Sequence, residues 1–587
     1  MKRAAVVVLV ALALSSAEVP GAQPSPVNPY GIMTMLNSGT IDTGAAAEHL
    51  RQARDLAGEW GWVRQFFKME PGQDEKAVEF LLLCRALHLT PIVCLVDFEV
   101  DRRPDETGSF SRQAEMTREW LLSIYERGLS MPYIEVGNEP NLHWGGPWPD
   151  PISYGRLLVE VSKVIRELDP SAKIMNAALA PSDGTDELED GVVGSLGDRN
   201  INNLTFIDLM FSFVPEVGEA IDIWASHPYS IHHPPEYRDE RYSVVGYEWE
   251  LAEIARFGHS YPVVITEAGY SLAHEGITEE NRAEYMVRIF RDIWAKDPRV
   301  VAACPFELGD FIWGGWEGFD WVRGNGTATP QYDAVAALAK PEGSDPWNTP
   351  LGRGSIHGNV QVSPATEGIP APSGGIIVWA QPGNYADITG AGGEFSLTGL
   401  PAGTYTLRLY RDGYTQQAPA EVDVRGKTKV ELAAVYHGML GGSHFEGPGP
   451  GGFTIEPAGR SALLPPPHGR AASGGLMVIS TAHGPTEVWQ HTDYCTVEQG
   501  ARYAASAHVL PLAGSAQINL ALQFCDNVGM PVDNGWVELP PVAAPPDEWF
   551  RLELAAQAPV GARRVKVVFV AQGKGSIMLD DITIAAQ

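Results

Sequence analysis

The chain has 587 residues but few cysteines, little positive charge and almost no long apolar stretches. Five cysteines, Cys84, Cys94, Cys304, Cys495 and Cys525, are too scattered for a disulfide framework or a zinc site. Cys495 with Cys525 is left as one possible bridge, and the other three sit in apolar runs as core thiols. Lys and Arg number 42 against 73 Asp and Glu, a formal net charge of −31. No basic surface is left to screen phosphates, so nucleic acid and anionic membranes are excluded as partners. Neutral glycans fit that charge better than sulfated or uronate-rich ones. Past residue 14 no uncharged apolar run reaches 18 residues, so no membrane span is expected.

What is present begins with Lys2 and Arg3, then the apolar run Ala4 to Leu14 and the small and polar residues to Gln23. This is the order of a secretory leader, which predicts a leader over 1–23 and a secreted (extracellular or periplasmic) protein. The 62 glycines and 45 prolines exceed average usage and predict many turns. Within 24–340, eight short runs of β-formers alternate with segments of helical periodicity. The runs are Tyr30 to Met35, Trp60 to Phe66, Pro91 to Asp97, Tyr133 to Gly137, Lys173 to Ala178, Ile221 to His227, Pro262 to Glu267 and Val300 to Glu307. Eight βα units predict a (β/α)8 TIM barrel. The rival open sheet normally has a Gly-rich phosphate turn after its first strand, which Met33 to Thr43 lacks.

Pro341 to Gly354 reads as a linker. Two all-β sandwich domains are expected after it, over 355–436 and 437–587. The run Gly393-Glu-Phe-Ser-Leu-Thr-Gly-Leu-Pro-Ala-Gly-Thr-Tyr-Thr-Leu-Arg-Leu with Asp412-Gly-Tyr resembles the carboxypeptidase regulatory-like, transthyretin-like sandwiches. His444-Phe-Glu-Gly near the start of the last segment and Leu579-Asp-Asp-Ile at its end resemble a jelly-roll carbohydrate-binding module.

Chemistry in a (β/α)8 barrel is carried where strands meet their following loops. Two carboxylates stand there: Glu139, in Asn138-Glu-Pro-Asn after the fourth run, and Glu267, in Glu-Ala-Gly after the seventh. A carboxylate at an apolar strand end costs several kcal/mol unless paired, hydrogen-bonded or protonated. Two together fit glycoside hydrolysis, which needs an acid for the leaving oxygen and a carboxylate for the anomeric carbon.

The motifs Asn138-Glu139-Pro140 and Glu267 resemble those of clan A glycoside hydrolases, families 5 and 39 among them. The resemblance covers the 24–340 segment. It implies Glu139 as acid/base, Glu267 as nucleophile and Asn138 as ligand of a sugar 2-hydroxyl. It makes Arg64 the arginine that pairs with the nucleophile, and His227 and Tyr229 the clan's His-x-Tyr pair. For the sugar platform near the eighth strand, Trp313 and Trp316 compete. The implied activity is retaining hydrolysis of a β-linked polysaccharide or oligosaccharide, with no cofactor and no metal.

Plainer readings stand beside these. Asn-Glu-Pro also suits a helix start, Arg64 a structural ion pair, His227 a core position and Glu135, on the strand itself, a structural role. Trp144, Trp148, Tyr270 and Trp321 fit sugar stacking or packing, as do Trp489, Trp536 and Trp549 further on, while His232 and His233 are loop residues. A non-catalytic carbohydrate-binding protein on a degenerate barrel, or a transglycosylase, would carry the same residues. Sugar identity, endo or exo action and oligomeric state are not read from the sequence.

Overall fold

The computed structural model describes residues 28–36, 43–69, 73–96, 110–142, 150–182, 200–309, 315–323, 326–364, 371–411, 413–436, 453–456, 461–464, 475–480, 486–490, 495–497, 499–515, 517–526, 531–543 and 548–586. The expected leader over 1–23 lies outside them, as do Trp144, Trp148 and Trp313.

The first part alternates strand and helix. Its strands are β1 (Gly31–Met33), β2 (Gly61–Lys68), β3 (Leu89–Val96), β4 (Tyr133–Val136), β5 (Lys173–Asn176), β6 (Trp224–Ser226), β7 (Val263–Ile265) and β8 (Val300–Ala303). The main helices between them are α1 (Thr43–Ala57), α2 (Gln73–Ala86), α3 (Ser111–Tyr125), α4 (Pro151–Leu168), α5 (Asn203–Phe213), α6 (Val217–Ala220), α7 (Tyr247–Ala255) and α8 (Glu279–Arg288), with α9 (Pro330–Ala336) after β8. Strands β1 to β5 pair in sequence order, and so do β6 to β8, all in parallel. Parallel bridges Met175↔Ile223 and Tyr30↔Ala303 join the two sets on both sides, so the ladder runs round a ring.

Side chains alternate across each strand. Ile32, Val63, Val93, Ile134, Ile174, Trp224 and Val263 turn outward into one large core with the helices. Trp62, Ile92, Met175, Ile223, Ala225, Val264 and Cys304 form a separate apolar cluster inside the ring. Gly31 makes room for it, because a Cβ there would sit 2.8 Å from both Cys304 Sγ and Trp62 Cβ. On β2 the alternation stacks Trp62, Arg64 and Phe66 on the inner face. Paired strands stop short of several expected ends: Gly137 and His227 directly follow the last strand residue, while Glu267 lies two residues beyond β7 and Glu307 four beyond β8. There the chain is released from the ladder to present side chains.

The segment Pro341 to Gly354, expected as a linker, is packed against the first part. Trp347 lies under the Arg85 guanidinium (4.9 Å to the ring centre), meets Trp60 edge-on, and donates from Nε1 to Ser130 O (3.1 Å). Eight strands between Gly354 and Tyr436 then form two four-stranded sheets around their own core. Ile377 and Trp379 of that unit belong to the large core of the first part, and Gln381 Nε2 donates to Arg127 O. The strands between Phe453 and Ala586 make a seven-stranded and a five-stranded sheet around a further core.

Cys525 carries a free, buried thiol, so the bridge considered for it does not form. Cys495 pairs with Val565 and Cys525 with Arg564, from opposite sides of the strand Arg564–Gln572. Two inter-strand spacings of about 4.8 Å each exceed the Cα separation of about 7 Å that a disulfide tolerates.

Gly31→Ala should destabilise the first part by about 1–3 kcal/mol through overpacking against Cys304 and Trp62. A lower midpoint in denaturant titration followed by tryptophan fluorescence would show it, and an unchanged midpoint would count against a close-packed ring interior.

Candidate active site

Arg64 is the centre of the site. It is fully buried on the inner face of β2, and each edge of its guanidinium is engaged. Nε donates to Glu135 Oε2 (2.6 Å), Nη1 to Glu267 Oε1 (2.7 Å) and Nη2 to Asn138 Oδ1 (2.7 Å). Nη1 also faces Met33 Sδ (3.2 Å), Nη2 faces Cys94 Sγ (3.4 Å), and the Phe66 ring lies 4.6 Å from the guanidinium carbon. A buried cation is tolerable only when paired and hydrogen-bonded, and here one residue of β2 ties the ends of β4 and β7 together.

Glu267 follows Thr266, whose N donates to Ser226 O. Its Oε1 accepts from Arg64, and its Oε2 accepts from Tyr229 Oη at 2.8 Å. Glu139 is placed by different means. Gly137 (φ 97°) and Glu139 itself (φ 43°) turn the chain sharply out of β4, into a left-handed conformation that non-glycine residues seldom adopt. The turn is braced by Glu139 N donating to Ala178 O. Asn141 braces it further: its Nδ2 donates to Ala180 O and Ile201 O, and its Oδ1 accepts from Ala180 N. No helix begins at Asn138-Glu-Pro, so the helix-start reading is set aside.

His227 Nδ1 lies 2.9 Å from Glu139 Oε1 and 3.7 Å from Glu267 Oε2. Burial lowers its pKa to about 4, so the imidazole is neutral at neutral pH. Burial raises the Glu139 carboxyl to about 7, against the opposing pull of Arg64 and with help from the charge of Glu135. Burial above all, with the Glu267 and Glu139 charges, pushes the Tyr229 hydroxyl well up, so it stays a donor. One donor atom each from Glu139, His227 and Glu267 lie within 4.8 Å of one another, the one such set among the described residues. That set matches metal ligands in type, but Arg64 and Tyr229 already occupy both oxygens of Glu267.

The structure therefore brings Glu139, Glu267, Arg64, Asn138, His227 and Tyr229 into one cluster. Trp316 is 39% exposed and meets Phe306 edge-on at 5.9 Å. Phe319 contacts Tyr229, Phe306 and Trp316. Tyr270 and Trp321 are buried, with Tyr270 Oη donating to His233 O, so these two are core residues. His232 and His233 sit in a loop, His233 stacked on Tyr237. Sequence reasoning missed Phe66, Phe306 and Phe319 as the aromatic surround. Phe66 was signalled by its place two residues beyond Arg64 on one strand face, whereas Phe319, in a long loop, gave no periodic sign.

No protein-family model matches the sequence, and no curated protein matches it. Among solved structures the chain is similar to a family 39 glycoside hydrolase from the gut symbiont Bacteroides cellulosilyticus WH2, at TM-score 0.38 and 11% identity, over 93% of this chain and 81% of that one. It is similar also to a monomeric beta-xylosidase from Caulobacter crescentus CB15, at TM-score 0.38 and 11% identity, over 95% of this chain and 97% of that one. A smaller stretch, 24% of this chain and 91% of the other, is similar to the CBM22-1 xylan-binding domain of Xyn10C from Paenibacillus barcinonensis, at TM-score 0.20 and 15% identity.

Proposed function

We propose that the strand ring is a (β/α)8 barrel carrying a retaining glycosidase, secreted by the leader over 1–23 and acting on a β-linked oligosaccharide or polysaccharide. The observation that carries this reading is a pair of nearby carboxyls in opposed environments. Glu267 is gripped by a cation and a hydroxyl donor, while Glu139 is raised to about 7. Retaining enzymes hold their two carboxyls about 5–5.5 Å apart and inverting ones about 6.5–9.5 Å. Oxygens of Glu139 and Glu267 within 4.8 Å of each other fit the retaining class.

In the first step Glu267 attacks the anomeric carbon, the glycosidic C–O bond breaks, and protonated Glu139 gives its proton to the departing oxygen. In the tautomer of neutral His227 with its proton on Nδ1, that nitrogen donates to Glu139 Oε1 and leaves Oε2 to carry the transferable proton. In the second step ionised Glu139 takes a proton from water, which attacks the glycosyl ester and frees Glu267. With Oδ1 of Asn138 held by Arg64, its Nδ2 is the end left to donate to a sugar hydroxyl. Trp316, and Trp313 outside the described residues, are the candidate platforms, and the two β-rich units after the barrel would hold or space the enzyme on its glycan.

Glu267→Gln should abolish hydrolysis of aryl β-glycosides, and NMR of the first-formed product should show retained anomeric configuration; persistent turnover in that variant, or inversion, would defeat the reading. Because the acid must be protonated to act, kcat/KM should fall as pH rises through about 7. Glu139→Gln should remove that limb and cut kcat/KM by about 10²–10⁴-fold on substrates with poor leaving groups. Arg64→Lys should also cut kcat severely, since an ammonium cannot engage Glu135, Glu267 and Asn138 in a fixed fork. Activity near that of the wild type would reduce Arg64 to a plain structural ion pair.

A further inference from the structure

Glu135 takes no part in either chemical step, yet it is completely buried inside the ring, two residues short of the turn that carries Glu139. Its Oε2 accepts from Arg64 Nε at 2.6 Å. Its Oε1 accepts from Thr266 Oγ1 at 3.2 Å and from Ala178 N at 3.3 Å. Thr266 is the residue before Glu267, and Ala178 O holds Glu139 N. One carboxylate thus touches the supports of both reacting carboxyls and the cation between them.

We propose that Glu135 is a positioning residue, which fixes the direction of Arg64 and supplies a second negative charge beneath the two reacting carboxyls. Fixing Nε on Glu135 leaves Nη1 and Nη2 with one available direction each, toward Glu267 and Asn138. Without that grip the guanidinium would be free to swing toward Glu139, whose proton it would help to expel. Arg64 Nε and Ala178 N can only donate to Glu135, so a carboxylate suits the position and an amide must turn its own donor against one of them.

The charges around Glu135 come from several elements. Arg64 of β2 is the cation, while Glu267 after β7 and Glu139 after β4 are the other carboxyls. Cys94 of β3, Cys304 after β8, Tyr154 of α4 and Tyr229 after β6 are all raised by burial, and His227 is lowered to about 4, so these stay neutral between about pH 5 and 8. One cation then faces three carboxyls, and the charge of Glu135 works with burial to keep Glu139 protonated.

This rests on the glycosidase reading, and the experiment separates the two. The pH dependence of kcat and KM is measured for wild type, Glu135→Gln and Glu135→Asp on the aryl β-glycoside that the wild type cleaves fastest, with folding checked by circular dichroism. In Glu135→Gln the alkaline limb should move down by about one pH unit, and kcat should fall about 10- to 100-fold with KM little changed. Glu135→Asp keeps the charge but shortens the reach, so its limb should stay in place while kcat falls. A limb unmoved in folded Glu135→Gln overturns the proposal, since a merely structural residue would lower the melting temperature and leave the limb alone. Should Glu135→Gln not fold, Glu135→Asp decides: a lowered kcat with an unmoved limb supports the proposal, and an unchanged kcat overturns it. Glu139→Gln and Glu267→Gln run beside them, and their continued turnover would defeat the glycosidase reading itself.

Discussion

A single guanidinium with no access to water holds the site together. Removing an arginine from solvent costs several kcal/mol before any partner is found, and Arg64 recovers that cost only because β2, β4 and β7 converge on it. The dependence runs both ways. Glu135 and Glu267 are themselves buried anions that need this cation, and Asn138 is orientated by it. The ring therefore supplies what chemistry at neutral pH requires: two carboxyls near each other but unlike in surroundings, one hydrogen-bonded to a fixed positive charge and one beside a neutral imidazole.

Much of this was legible in the residues. Parallel strands buried on both faces read as apolar runs, so a charged residue within or just past one stands out, and Arg64, Glu139 and Glu267 all did. The short separations Asn138-Glu139 and His227-x-Tyr229 kept partners on one loop, where spacing alone places them together. Strand ends were less legible. The turn after Gly137 is held by hydrogen bonds from Glu139 and Asn141 to the segment after β5, and those partners are 39 residues distant in sequence.

Glu135 shows how composition can mislead. An acid in the middle of a strand reads as structural, and its environment appears only when strands from three places close round it. Phe319 and Trp347 were hidden for a related reason: both lie in irregular segments without a period, and each acquires a role through contacts across the fold. Cys525 failed in the opposite sense, since proximity in one module made a partner of Cys495 plausible, and only strand order put a third strand between them.

The apolar cluster below Arg64 has a consequence for traffic. Among the described residues, Trp62, Ile92, Met175, Ile223 and Val264 fill the ring beneath the charged layer with packed apolar side chains. Whatever enters to meet Glu139 and Glu267 comes by the mouth and must leave by it. In the proposed reaction the first product and the incoming water use the same end of the ring, so departure of the one makes room for arrival of the other.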